Sequence, residues 1–171
     1  MQMSNNFDRA YLFDKLFHGF QALMEILPQI IRGWLLALRS EKVGKGLKVD
    51  KDCLFFHTTK LKIGDNVWIG RRVFVSGRGG LTIGNDSFLA FDSVILTEHH
   101  VYKKGVKIRN TGFTTLPTEI GNNVLVGAKA IIMPGVTIGN NVVIGANSVV
   151  TKNIPSGSVV VGIPAKVIKK W

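Results

Sequence analysis

The sequence predicts an all-β solenoid: short parallel strands joined by tight corners, three to a coil, around a triangular apolar core. Three observations lead there. First, stepping by six from Ile120 reaches Val126, Ile132, Ile138, Ile144 and Val150, all β-branched aliphatics. The same step runs Ile63, Ile69, Val75 and, after two extra residues, Ile83, Leu89 and Ile95, with Val43, Val49 and Phe55 before them. Second, turn formers recur between these slots. Gly often follows the slot (Gly64, Gly84, Gly121, Gly139), then Asn or Asp (Asp65-Asn66, Asn122-Asn123, Asn140-Asn141), residues that tolerate positive φ. Four residues after the slot the side chain is small or β-branched, as at Val67, Ser87, Ala130 and Ser148. Third, no other regular structure accepts this period. A helix of 3.6 residues per turn would spread the slots over all its faces, and a long flat strand would be broken by the turns. Wound three strands to a coil, Ile120 lies under Ile138, Val126 under Ile144 and Ile132 under Val150. The slots account for about five coils over residues 43–155. The period does not set the handedness of the winding.

Residues 1–42 are of helical character. Leu12, Leu16, Phe20, Leu23 and Leu27 recur at three- and four-residue spacing before Pro28 breaks the pattern, and a second short helix is expected to hold Ile30, Ile31, Trp34, Leu35 and Leu38. This much apolar surface does not suit a freely solvated helix. Residues 1–40 carry Arg9, Lys15, Arg32 and Arg39 against Asp8, Asp14 and Glu25, so no strongly basic face offers itself to lipid. Packing against the solenoid or a neighbouring subunit is expected, with membrane contact weak or absent. A second interruption, residues 101–117, carries Lys103, Lys104, Lys107 and Arg109 and has the length of a functional loop inserted after the third coil. Residues 156–171 form a C-terminal tail.

Composition narrows the function. Hydrophobic residues make up 46% and charged residues 19%, which suits a packed domain and not a disordered chain. The net charge of +11 is compatible with nucleic acid, an anionic surface or phosphorylated small molecules. No nucleic-acid-binding motif accompanies it, so no nucleic-acid partner is expected. The lone Cys53 cannot form an internal disulfide and is read as a small buried hydrophobe. Asp8, Arg9, Asp14 and Lys15 interrupt any secretory signal, and Glu25, Pro28, Gln29 and Arg32 spoil the longest apolar stretch as a membrane span. A cytoplasmic protein is expected, at most peripheral to the inner face of the membrane.

The runs Ile120-Gly121-Asn122-Asn123-Val124, Pro134-Gly135-Val136-Thr137-Ile138-Gly139 and Ile144-Gly145-Ala146-Asn147-Ser148-Val149-Val150-Thr151-Lys152 resemble the hexapeptide-repeat acyltransferases. The closing Val161-Gly162-Ile163-Pro164-Ala165-Lys166-Val167-Ile168-Lys169 resembles the signature of their sugar O-acetyltransferase branch, which includes galactoside and maltose acetyltransferases and enzymes of surface-polysaccharide synthesis. The likeness covers residues 43–171. It implies a left-handed β-helix, a homotrimer, acetyl-CoA as co-substrate and a sugar or glycan hydroxyl as acceptor.

Acetyl transfer to a hydroxyl needs a base, and histidine suits that task near neutral pH. His18 falls in the helical stretch and His57 in the first coil, where both are read as structural. The resemblance puts the catalytic histidine where the third coil meets the long loop, at His99-His100. Counting from the slot Ile95 places His99 at an inward position and projects His100 outward, which favours His100 and keeps His99 as the alternative. Glu98 is a candidate to orient the imidazole. His100-Val101-Tyr102 resembles a His-x-Tyr of polysaccharide-modifying relatives, and Tyr102 joins Arg71, Ser76 and Arg78 as candidate acceptor contacts. For coenzyme A the resemblance implies Gly127, Ala128, Ala146 and Thr151 along a groove shared between subunits. It also implies Lys166 and Lys169 near the phosphates, where relatives often carry arginine. Lysine keeps the charge and loses the bidentate fork. No metal is expected, because adjacent His99 and His100 cannot easily ligate one ion as a carbonic-anhydrase-like site requires. Alternatives are an N-acetyltransferase acting on an amino sugar and a non-enzymatic solenoid scaffold.

Overall fold

The structure, a computed structural model, describes residues 28–171. The longer helix expected over Leu12 to Leu27, and His18 with it, lies outside the described residues. Parallel strands of two or three residues stack into three sheets, the faces of a triangular prism. The first face stacks Lys42–Val43, Leu61–Ile63, Leu81–Ile83, Thr118–Ile120 and Thr137–Ile138. The second stacks Lys48–Val49, Trp68–Ile69, Phe88–Leu89, Leu125–Val126 and Val143–Ile144, then Ser158–Gly162 and Ala165–Lys170. The third stacks Leu54–Phe56, Phe74–Ser76, Val94–Leu96, Ile131–Ile132 and Val149–Val150.

The slots stack in three columns. Val43, Ile63, Ile83, Ile120 and Ile138 align on the first face, and Val49, Ile69, Leu89, Val126 and Ile144 on the second. Phe55, Val75, Ile95, Ile132 and Val150 align on the third. Ile154 and Val160 extend the first two columns into a partial sixth coil. Twelve or more of these side chains are almost fully buried, each contributing about 1.5–3 kcal/mol of apolar transfer. The coils advance by twenty residues where the two extra residues occur (Lys42 beside Lys62) and by eighteen in the fourth (Ile120 beside Ile138).

The corners explain the remaining letters of the repeat. The third residue after a slot takes the left-handed conformation, as at Asp52, Asn66, Arg72, Asp86, Asp92, Asn123, Lys129, Asn141 and Asn147. At the corner between the first and second faces a side-chain ladder runs the length of the prism. Asp65, Asn85, Asn122 and Asn140 each accept, at 2.7–2.8 Å, a backbone N–H from the coil before. The small residue that follows fills the inside of the corner, and Val67, Ser87, Ala130 and Ser148 are fully buried.

Helix α1, Gln29–Ala37, closes the N-terminal end of the prism. Leu36 and Leu47 are buried together, and Arg32, itself buried, donates from Nε to the Val49 carbonyl at 2.8 Å. The helix thereby covers the strand edge that the first coil would otherwise leave open. Ser40 Oγ returns a hydrogen bond to Leu36 O, and Thr58 Oγ1 ties the chain after the helix through Arg39 O. At the other end Ser158–Gly162 and Ala165–Lys170 form an antiparallel hairpin on the edge of the second face. Cys53 packs half-buried against the core with Sγ 3.1 Å from Gly70 O, and burial pushes its thiol up to about 11, so it is a poor nucleophile at neutral pH. No helix among the described residues is long and apolar enough to cross a membrane.

Candidate active site

The chain leaves the prism at the third corner, where the third face of one coil passes to the first face of the next. After Thr97 it runs outward as Glu98–His100, which pairs antiparallel with Phe113–Thr115, so a two-stranded arm holds both histidines. Glycine at Gly79 is required here. A Cβ would sit 2.4 Å from Thr97 O and 2.8 Å from Leu116 O, the two ends of the arm. Thr97 Oγ1 anchors the base, accepting from Gly79 N at 2.8 Å and donating to Ser76 O at 2.7 Å.

The structure gathers much of the expected acceptor and base set on this arm. Glu98, with only 15% of its side chain exposed, accepts from Ser76 Oγ at 2.7 Å and pairs with Arg78 Nε at 2.6 Å. Arg78 also reaches His57 Nε2 at 2.9 Å, and its guanidinium lies 5.3 Å from the Phe113 ring centroid. The other occupant of that ring is His100, at a centroid distance of 4.1 Å. His99 turns Nδ1 to the His100 carbonyl at 3.0 Å. Both histidines are exposed, because the six-residue count stops at Thr97, and the inward position expected for His99 does not exist on the arm. Glu98 spends its carboxylate on Ser76 and Arg78, and Arg78 and Phe113 stand between it and His100. Tyr102 stands 80% exposed beyond the arm's first strand.

Other expected residues lie elsewhere on the same chain. Gly127, Ala128 and Ala146 occupy the second corner, between the second and third faces, and Thr151 follows Val149–Val150 at the third corner. Lys166 and Lys169 project from the last strand of the second face, with Lys169 Nζ 4.1 Å from the Trp171 ring centroid. Arg71 pairs with Asp52 at 2.7 Å on the second corner, one face away from the arm. Beside it Arg72 binds Asp92 through two hydrogen bonds, and these hold the Asp92 carboxyl below the usual carboxylate range.

Two members of the arm cluster were not foreseen. His57, read as structural, stands at the third corner because the twenty-residue register puts it under Gly77 and Thr97; carrying that register one step further along the sequence locates it. Phe113 has no such signal, since its place depends on the return strand of the arm. Among the described residues no group of three or more His, Cys, Asp or Glu side chains is arranged to hold a metal ion.

Comparison with known proteins agrees with this architecture. The bacterial transferase hexapeptide family (six repeats) matches residues 117–152, and the hexapeptide repeat of succinyl-transferase matches residues 60–95. A protein of Escherichia coli K12 named for acetyl transfer in colanic acid biosynthesis is 32% identical over 146 residues, 84% of this chain and 78% of that protein. The galactoside O-acetyltransferase of the same organism is 35% identical over 130 residues, 75% of this chain and 63% of that enzyme. The crystal structure of a maltose O-acetyltransferase from Clostridium difficile 630 superposes with a TM-score of 0.82 at 33% identity, covering 91% of this chain and 84% of that one. A galactoside acetyltransferase in complex with coenzyme A gives a TM-score of 0.80 at 28% identity, covering 99% and 84%. The coils and these relatives together define an acetyltransferase of the β-helix type. The chain belongs to the hexapeptide-repeat acyltransferases, in the branch that holds the galactoside and maltose O-acetyltransferases. With membership comes the left-handed winding that the period alone does not set.

Proposed function

We propose that the protein transfers acetyl from acetyl-CoA to a hydroxyl of a sugar or surface-polysaccharide precursor, with His100 as general base. The observation that carries the base assignment is the exposed His100 imidazole, seated on Phe113 at the corner where the solenoid opens. His100 takes the proton as the acceptor oxygen bonds to the thioester carbonyl carbon. The tetrahedral adduct then collapses, the carbon–sulfur bond breaks, and the coenzyme leaves as a thiol carrying that proton. Lys166 and Lys169 are suited to the coenzyme's phosphates, and Tyr102 and the arm to the acceptor. Arg78, engaged by Glu98 and His57, serves as a positioning residue for the ring that supports His100.

One chain supplies these parts at separate corners, as a site shared between subunits requires. Beyond the first coil, where Lys48 faces out of the second face, the outward positions of the second face (Trp68, Phe88, Leu125, Val143) and third face (Phe74, Val94, Ile131, Val149) are apolar, whereas the first presents Lys42, Lys62, Thr82, Glu119 and Thr137. Two unlike apolar faces are what a closed cyclic trimer needs. Light scattering should give three times the 18.8 kDa chain mass; a monomer with full turnover overturns the shared site. The reaction is tested by thiol release from acetyl-CoA against nucleotide sugars, free glycosides and lipid-linked oligosaccharides. Release with amino sugars alone would move the assignment to N-acetylation.

Arg78→Leu leaves the Glu98 carboxylate without its cation and Phe113 without its guanidinium cover. We expect a loss of stability of about 1–3 kcal/mol, below that of a fully buried pair because Arg78 is partly solvated, together with a lower kcat. Thermal melts and steady-state kinetics on the same preparation check both.

A further inference from the structure

The outer side of α1 has no partner among the described residues. Ile30, Trp34 and Leu38 follow one another at i, i+4 and i+8 and are 72%, 61% and 64% exposed, with Ile31 beside them at 40%. The opposite side of the helix, Arg32, Gly33 and Leu36, is buried on the first coil. Charge within the helical segment is close to balanced, which argued against lipid, but the fold adds what that count omits. The first coil encircles the end that α1 caps, and from its faces and corners it presents Lys42, Lys45, Lys48, Lys51 and Lys60, all exposed. None of the five has an ion-pair partner among the described residues. The acids of the same coil are engaged: Glu41 with Lys62, Asp50 with Gln29, Asp52 with Arg71.

We infer that the N-terminal end of the prism is a membrane-docking surface, in which the Ile30–Trp34–Leu38 stripe enters the interface of an anionic bilayer while the lysine ring meets the lipid headgroups. An apolar stripe on a short helix supplies burial at the headgroup boundary, and lysines within a Debye length supply attraction to anionic lipid. Cyclic symmetry in a trimer sets three such ends at one height along the axis, so three modest contacts act together. The docking surface is separate from the arm, and it stands or falls independently of the reaction assigned there.

The test is sedimentation of the full chain with phosphatidylcholine vesicles, with and without phosphatidylglycerol. Binding is expected only to the anionic vesicles, weakening as salt is raised. Ile30→Gln/Trp34→Gln/Leu38→Gln, substitutions on the exposed side of the helix, should reduce the bound fraction roughly tenfold or more with the melting temperature unchanged. Lys45→Glu/Lys48→Glu/Lys51→Glu should do the same from the electrostatic side, roughly tenfold or more. Brominated lipid should quench tryptophan fluorescence in the native chain and lose that effect in Trp34→Phe. Failure to bind anionic vesicles, binding undiminished in both triple variants, or a helix-stripe variant that alters the assembly mass instead of vesicle binding, each overturns the inference.

Discussion

His100→Ala is expected to lower kcat by at least about a hundredfold, the scale on which a positioned general base acts, with no change in melting temperature or coenzyme affinity. A hundredfold is about 2.7 kcal/mol of transition-state stabilisation. The imidazole is exposed and packs on the exposed Phe113 ring, so its removal opens no cavity in the core. His99→Ala should be mild by comparison. Its Nδ1 hydrogen bond ends on a local carbonyl in the arm and holds nothing distant. Single-turnover acetyl transfer with both variants separates them. If His99→Ala proves severe and His100→Ala mild, the base is His99; if both keep native rates, neither histidine of the arm is the base.

The solenoid was legible in the sequence because its core repeats with an arithmetic that no helix or flat sheet can share. The slots from Val43 to Val150 became the three inner columns, and the Asn and Asp residues between them became the left-handed corner positions. The arm was less legible. Its location followed from the gap in the repeat between Ile95 and Ile120, but a β-hairpin obeys a period of two, so counting by six assigned His99 an inward direction that it lacks. The Glu98 cluster brings together residues from three coils, His57, Ser76 with Arg78, and Glu98 itself. Spacing alone indicates which coil each occupies. It does not indicate that Arg78 will bridge Glu98 to His57, because that depends on side-chain directions at one corner. Arg71 shows the same limit: one coil below the arm in sequence, it lies at a different corner of the chain, paired with Asp52.

Gly127→Ala tests how the coenzyme set divides between binding and folding. The resemblance places Gly127 in the coenzyme groove, yet its backbone has a structural duty of its own. Gly127 N donates to Ile144 O at 2.8 Å, closing the ladder between the fourth and fifth coils. A Cβ there would lie 2.5 Å from Ile144 O, 2.6 Å from Ala146 N and 2.7 Å from Gly145 C. All three contacts are backbone, so no side-chain rotation relieves them, and the two coils must move apart. Overpacking of this kind costs about 1–3 kcal/mol or more, and at roughly 2–4 °C per kcal/mol for a chain of this size the melting temperature should drop by several degrees. The exposed Lys169→Ala offers the contrast, since it removes a cation from the last strand without touching the core. We expect Lys169→Ala to raise KM for acetyl-CoA at unchanged melting temperature, and Gly127→Ala to lower both thermal stability and activity. A Gly127→Ala protein that melts normally and shows only a raised KM would mean that the glycine is there for the ligand's approach and not for the stacking of the coils.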